Sequence, residues 1–201
     1  MNVLFLGITP SPLTSILEQF GCRVVECANP IDVEYLRAEC VDFAASYRYR
    51  HIVRKPVIEY LKEKIINLHI SLLPWNRGAD PNLWSFLADT PKGVTIHYIN
   101  EGVDTGDIIA QKEIVFDTAG ETLATTYDRL NREMIELFKE QWPLIMRGET
   151  SRWKQPPGGS FHRLKDNEPF KDLLSEKGWD TPVAELIGKA LINSGKQASG
   201  R

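Results

Sequence analysis

Ile65-Ile66-Asn67-Leu68-His69-Ile70-Ser71-Leu72-Leu73-Pro74 is the stretch from which the fold is read. Its apolar run has the length of a buried strand, and Asn67, His69 and Ser71, spaced by two, leave a strand on the same face. One edge of a sheet therefore turns polar just where the chain leaves it. Trp75-Asn76-Arg77-Gly78-Ala79-Asp80-Pro81 then reads as a loop. A second apolar run, Val94 to Ile99, ends in Glu101-Gly102-Val103-Asp104-Thr105-Gly106-Asp107, a turn that presents Asp104. An amide, an imidazole and a carboxylate become available together, the set of groups an acyl-transfer centre needs.

Outward from this stretch, apolar runs alternate with helical spacing. Val3 to Leu6, closed by Gly7, reads as a strand, Leu13 to Phe20 as a helix and Arg23 to Glu26 as a strand. Asp32 to Glu39 reads as a helix, Val41 to Ser46 as a strand and Lys55 to Lys64 as a helix with a proline at its start. Further on, Pro81 to Ala88 is helical, Ile108 to Val115 is a strand, and Leu123, Tyr127, Leu130, Met134, Leu137, Phe138 and Ile145 mark an amphipathic helix over Glu121 to Arg147. Such alternation predicts an α/β fold: a Rossmann-like open, mainly parallel sheet flanked by helices. Ligands of these sheets gather beyond the carboxyl ends of the strands, where Gly7-Ile8-Thr9, Tyr47 to His51 and Asn67 to Ser71 fall. Pro156-Pro157-Gly158-Gly159 breaks the pattern. The expected organisation is a catalytic domain over 1–150, a short C-terminal appendage over 151–192 and a disordered tail over 193–201.

The chain has 201 residues, 42% hydrophobic, enough for one domain with a substantial core. A formal charge of −3 without a long basic run leaves no electrostatic footprint for a phosphate backbone, so nucleic acid is not expected as a partner. Cys22, Cys27 and Cys40 lack zinc-site spacing, and reduced thiols in a cytoplasmic protein without metal or disulfide are the expectation. Neither a signal peptide nor a membrane span is expected, because no window approaches 18 consecutive apolar residues.

Asn67-Leu68-His69-x-Ser71-Leu72-Leu73-Pro74-x-x-Arg77-Gly78, then Gly93-Val94-Thr95-Ile96-His97, then Val103-Asp104-Thr105-Gly106-Asp107-Ile108-Ile109-Ala110-Gln111, resembles the folate-dependent formyltransferase family. That family includes the glycinamide ribonucleotide, methionyl-tRNA and amino-sugar enzymes, and the resemblance covers roughly Val41 to Leu144. It implies catalytic roles for Asn67, His69 and Asp104, with 10-formyltetrahydrofolate as co-substrate and a primary amine as acceptor. The resemblance also places the pterin of the folate at Tyr49, Arg50, His51 and Ile52, with Val103 beside it. The Tyr47-Arg48-Tyr49-Arg50-His51 pattern looks more like the amino-sugar enzymes, which implies a nucleotide-linked amino sugar as acceptor. Alternatives are another amine of the glycinamide ribonucleotide or aminoacyl type, hydrolysis of 10-formyltetrahydrofolate, and a folate- or nucleotide-binding module without catalysis.

Acceptor-side candidates are Ser71, Arg77, Gly78, Asp80 and His97. Arg77 suits a phosphate, since a guanidinium makes paired hydrogen bonds. Ser71 either donates in the site or stabilises its turn, and Asp80 either meets the acceptor or caps the helix from Pro81. His97 either lines the pocket floor or is a satisfied buried histidine, and Trp84 either stacks on a base or is core. Gly102, Gly106 and Asp107 shape the Asp104 turn. Gly159 to Asp166 is similar to a segment that follows the catalytic domain in sugar formyltransferases. The stretch before Asn67 is shorter than is usual in the family, which implies a truncated N-terminal half and an acceptor pocket that a partner in a homodimer would complete.

Overall fold

Val3, Leu4, Phe5 and Leu6 are all fully buried, as a strand must be when helices cover both faces of a parallel sheet. They form the middle of β1 (Asn2–Gly7) in a computed structural model that describes residues 1–191; the tail expected over 193–201 lies outside the described residues. Helix α1 (Pro12–Gln19) begins where the Ser11 side chain accepts from the Leu13 N–H at 3.3 Å, and Pro12 occupies a first-turn position whose missing N–H has no partner to lose. β2 (Arg23–Cys27), α2 (Val33–Ala38), β3 (Phe43–Tyr47), α3 (Lys55–Leu61) and β4 (Ile65–His69) complete the alternation. Asp32 caps α2 by accepting from the Tyr35 N–H at 2.8 Å.

The later elements are β5 (Arg77–Gly78), α4 (Pro81–Leu87), β6 (Gly93–Tyr98), β7 (Ile108–Glu113), α5 (Leu123–Arg147) and β8 (Phe161–His162). Six strands lie in the order β2-β1-β3-β4-β6-β7, and β5 pairs with β8 in a separate two-stranded sheet. β1 runs parallel to β2 and β3, and β3 parallel to β4, while β6 is antiparallel to β4. The fold is thus α/β with a mainly parallel sheet, as the strand–helix alternation predicts. Chain order reverses between β1 and β3, whose last residues Gly7 and Tyr47 lie in register, so the carboxyl ends of β1, β3 and β4 share one edge.

Two compact units interleave along the chain. The first comprises Met1–His69, Thr95–Gln111 and Met134–Gln155. Its core includes Leu4, Leu6, Leu36, Ala44, Val57, Leu61 and Ile65, and elsewhere in the unit the buried Trp142 ring packs edge-on against Phe43 at 5.3 Å. The second comprises Ile70–Val94, Lys112–Glu133 and the chain from Pro156. Here α4 is buried along nearly its whole length, and Asn82 donates to the Leu123 carbonyl at 3.0 Å. Three short 3₁₀ segments, Leu164–Leu174, Gly178–Asp180 and Val183–Glu185, follow β8, and Val183 and Leu186 are fully buried. Among the described residues no helix is long and apolar enough to cross a membrane.

Candidate active site

The end of β4 and its antiparallel neighbour β6 build the site in the first unit. Asn67 lies directly opposite His97 and His69 opposite Thr95, so the polar face of β4 meets a histidine that the other strand contributes. The Asn67 amide nitrogen donates to Asp104 Oδ1 at 3.1 Å and stands 3.3 Å from His97 Nε2. Asp104 Oδ2 is 3.7 Å from His69 Nδ1, and Oδ1 is 3.5 Å from His97 Nε2. All of this is sheltered: His69 is 7% exposed and His97 2%. One carboxylate thereby faces an amide and two imidazoles at once.

His97 Nδ1 is 2.8 Å from the Tyr98 carbonyl oxygen, which can only accept, so Nδ1 carries the hydrogen. In neutral His97, Nε2 is then an acceptor for the Asn67 amide. This makes His97 an anchor that sets the direction of the Asn67 side chain, with its second ring nitrogen already used by its own strand.

Asp104 reaches this position on the loop between β6 and β7, with a left-handed backbone (φ 51°) that aspartate adopts more readily than most residues. Asn100 Oδ1 shapes the loop by accepting from the Gly102 N–H (3.1 Å) and the Thr105 hydroxyl (2.7 Å). A Cβ on Gly106 would collide with the Tyr98 carbonyl oxygen, so only glycine lets the loop return against β6. At the loop's end Asp107 accepts from Arg152 Nε at 2.8 Å and pairs with Lys154 Nζ at 2.9 Å. Hydrogen bonds from Lys154 and Arg152 hold its carboxyl below the usual carboxylate range. A carboxyl with a lowered folded pKa stabilises the fold above its unfolded value near pH 4, and that contribution fades as pH falls through the folded value. The stability gap between the natural protein and Asp107→Asn, from urea denaturation, should therefore be full at pH 7 and narrow below about pH 4. A gap that stays constant with pH would contradict this.

The candidate folate segment follows β3. Tyr49 packs against the core of the first unit, its hydroxyl donates to the Asn29 carbonyl at 2.6 Å, and its ring meets His51 edge-on at 5.3 Å. Burial, and then the neighbouring Cys27, push that hydroxyl up to about 12. Arg50, His51 and Ile52 are exposed, Ile52 by 79%, and Val103, on the Asp104 loop, is 42% exposed.

The other acceptor-side candidates belong to the second unit. Ser71, 2% exposed, donates to the Trp75 carbonyl at 2.6 Å, a turn-stabilising bond. Arg77 and Gly78 form β5, paired with Phe161 and His162; Arg77 Nε donates to the Ser160 carbonyl at 3.3 Å. Gly78 has φ 89°, and a Cβ there would strike the His162 carbonyl oxygen. Asp80 makes no side-chain cap for α4, contrary to one reading of the Asp80-Pro81 pair. Its backbone is left-handed (φ 48°) and its carboxylate accepts from Asn167, which in turn accepts from Trp84 Nε1 at 2.8 Å. Trp84 is core: 6% exposed, stacked on His162 at 3.7 Å with its other contacts including Phe170. Burial holds the His162 imidazole below its usual value, against the opposing pull of Asp166.

The formyl transferase family model matches residues 9–141. Methionyl-tRNA formyltransferase of Halorhodospira halophila is 32% identical over 179 residues, covering 88% of this chain and 55% of the relative. The chain spans between about a third and about half of the first curated relatives it matches. Among solved structures, the formyltransferase PseJ from Anoxybacillus kamchatkensis, in complex with UDP-4,6-dideoxy-4-formamido-L-AltNAc and tetrahydrofolate, superposes with a TM-score of 0.90 at 50% identity, covering 94% of this chain and 100% of that one. A 4-N formyltransferase from Francisella tularensis gives 0.73 at 22% identity, over 84% of this chain and 78% of the other, a likeness of fold.

Proposed function

The chain belongs to the formyl transferase family, and on that premise we propose that it is an N-formyltransferase. It moves the formyl group of 10-formyltetrahydrofolate to the primary amine of a nucleotide-linked amino sugar. One observation carries the acceptor class: half of the residues are identical to PseJ over the whole of that chain, and PseJ was solved with a UDP-linked formamido sugar and tetrahydrofolate.

Asn67, His69 and Asp104 supply the groups this reaction needs. The neutral amine attacks the formyl carbon, the new C–N bond forms, and the carbonyl oxygen becomes an oxyanion. The bond from that carbon to N10 of the folate then breaks, its electron pair stays on N10, and N10 takes a proton while the former amine loses one. His69 moves that proton or, as imidazolium, faces the oxyanion; Asp104, 3.7 Å from its ring, orients the imidazole. Asn67 provides the uncharged donor for the oxyanion. Its amide nitrogen meets Asp104 and His97 in this structure, so one of those contacts gives way as the oxyanion develops. Tyr49 to Ile52, exposed beyond Tyr49 at the end of β3, would receive the pterin, with Val103 as an apolar neighbour; Arg77 would take a phosphate of the acceptor, with Ser71, Gly78 and Asp80 beside it.

A second acceptor class has an observation of its own, the 32% identity to a methionyl-tRNA formyltransferase. A net charge of −3 weighs against it, because gripping a tRNA backbone relies on an excess of lysine and arginine. The two are separated by comparing kcat/KM for a UDP-linked 4-amino sugar with that for methionyl-tRNA under one 10-formyltetrahydrofolate concentration. The amino sugar should be preferred at least about 100-fold, a margin that follows from a pocket built to hydrogen-bond its own substrate. A preference for methionyl-tRNA would overturn the acceptor assignment and leave the donor in place.

A further inference from the structure

We propose that Gln155 is a positioning residue that aims the Asp104 carboxylate at Asn67 and His69, an inference that rests on the formyltransferase reading. Its side-chain nitrogen donates to the carbonyls of Asp104 (2.8 Å) and Gly106 (2.9 Å), so both amide hydrogens are spent on the second half of the Asp104 loop. Since both partners can only accept, the amide orientation is fixed; turning it over would set oxygen against oxygen. Among the described residues Gln155 Oε1 is buried without a partner, so the hydrogen bonding of this side chain rests on its nitrogen.

The register explains why Gln155 meets this loop. Ile108 and Trp153 form an antiparallel bridge, exchanging backbone hydrogen bonds of 2.8 and 3.1 Å. Counting back along one strand and forward along the other sets Lys154 against Asp107 and Gln155 against Gly106, and the side-chain pairs observed are those. Asn100 ties Gly102 and Thr105 on either side of Asp104, while the backbone carbonyls of Asp104 and Gly106 and the Asp107 carboxylate are held by the remote segment Arg152 to Gln155. Asp104 sits in the left-handed region, and the direction of its carboxylate follows from that backbone twist. Whatever pins the carbonyls of residues 104 and 106 therefore pins the carboxylate. A misplacement of about 1 Å at a reacting centre can lower a rate on the order of 100-fold.

The test is a double-mutant cycle in the full chain, read as single-turnover formyl transfer with enzyme in excess. Gln155→Met keeps the length of the side chain and removes both donors. It should lower the rate constant roughly 10- to 100-fold, with the KM for 10-formyltetrahydrofolate changed less than about two-fold. In an Asp104→Asn background the same substitution should change the rate less than about two-fold, because residues that act as one unit are not additive. Equal losses in both backgrounds, or no loss in the natural one, would overturn the proposal. Should Gln155→Met fail to fold, Gln155→Leu is put through the same cycle with the same expectation. An inactive natural protein, measured first, overturns the parent reading and this proposal together; an active one with additive losses overturns this proposal alone.

Discussion

Asp104→Asn should lower turnover by roughly 10³-fold, within the range by which a positioned acid–base group accelerates a reaction, while leaving the fold in place. The substitution conserves shape, so the loop held by Asn100 and Gly106 has no reason to move. What changes is charge. Asp104 Oδ2 is the oxygen near His69 Nδ1 at 3.7 Å, and Oδ1 accepts from the Asn67 amide at 3.1 Å. An amide in its place offers one acceptor instead of two and sets an N–H toward either a donor or an imidazole. His69 loses the carboxylate that orients its ring for moving the proton from the amine. Single-turnover formation of tetrahydrofolate measures the loss, and thermal unfolding within a few degrees of the natural protein shows the fold intact. A rate within ten-fold of the natural one would mean that the carboxylate does not take part.

Asn67→Ala should lower kcat roughly 10²- to 10³-fold, the loss that follows removal of one oxyanion donor. Two structural facts make the loss specific. Asn67, midway along β4, is the one residue of that strand that is not fully buried, so truncation leaves no large cavity in the core. Its amide is also directed by His97, whose other nitrogen is held by the Tyr98 carbonyl, so the donor reaches the oxyanion by exchanging one of its two contacts rather than by a free search. An interaction made in the transition state lowers kcat and kcat/KM together, with KM little changed. Loss confined to KM would assign Asn67 to ground-state binding.

Much of the architecture was legible because buried parallel strands leave continuous apolar runs, and Val3 to Leu6 and Ile65 to Ile66 are such runs. The two-residue spacing of Asn67 and His69 put both on one face before any partner strand was known. The position of His97 in the cluster was not legible, since it depends on β6 running antiparallel to β4 with Asn67 and His97 in register, a tertiary fact. Asp80 illustrates the reverse. An aspartate before a proline looks like a helix cap, yet its carboxylate goes to Asn167, 87 residues away, because the left-handed backbone turns it from the helix. The grip of Arg152, Lys154 and Gln155 on the Asp104 loop leaves no local sequence signal for the same reason of distance. β5 and β8, two residues each, are too short to leave a periodic signal.

The most direct measurement supplies 10-formyltetrahydrofolate with an isotope-labelled formyl carbon and a UDP-linked 4-amino sugar, and follows the label by mass spectrometry. The label should move to the sugar nitrogen in step with tetrahydrofolate release, and the transfer should collapse in both Asn67→Ala and Asp104→Asn. Label recovered as free formate, or tetrahydrofolate released equally with and without the amine, would contradict formyl transfer and assign the site to hydrolysis.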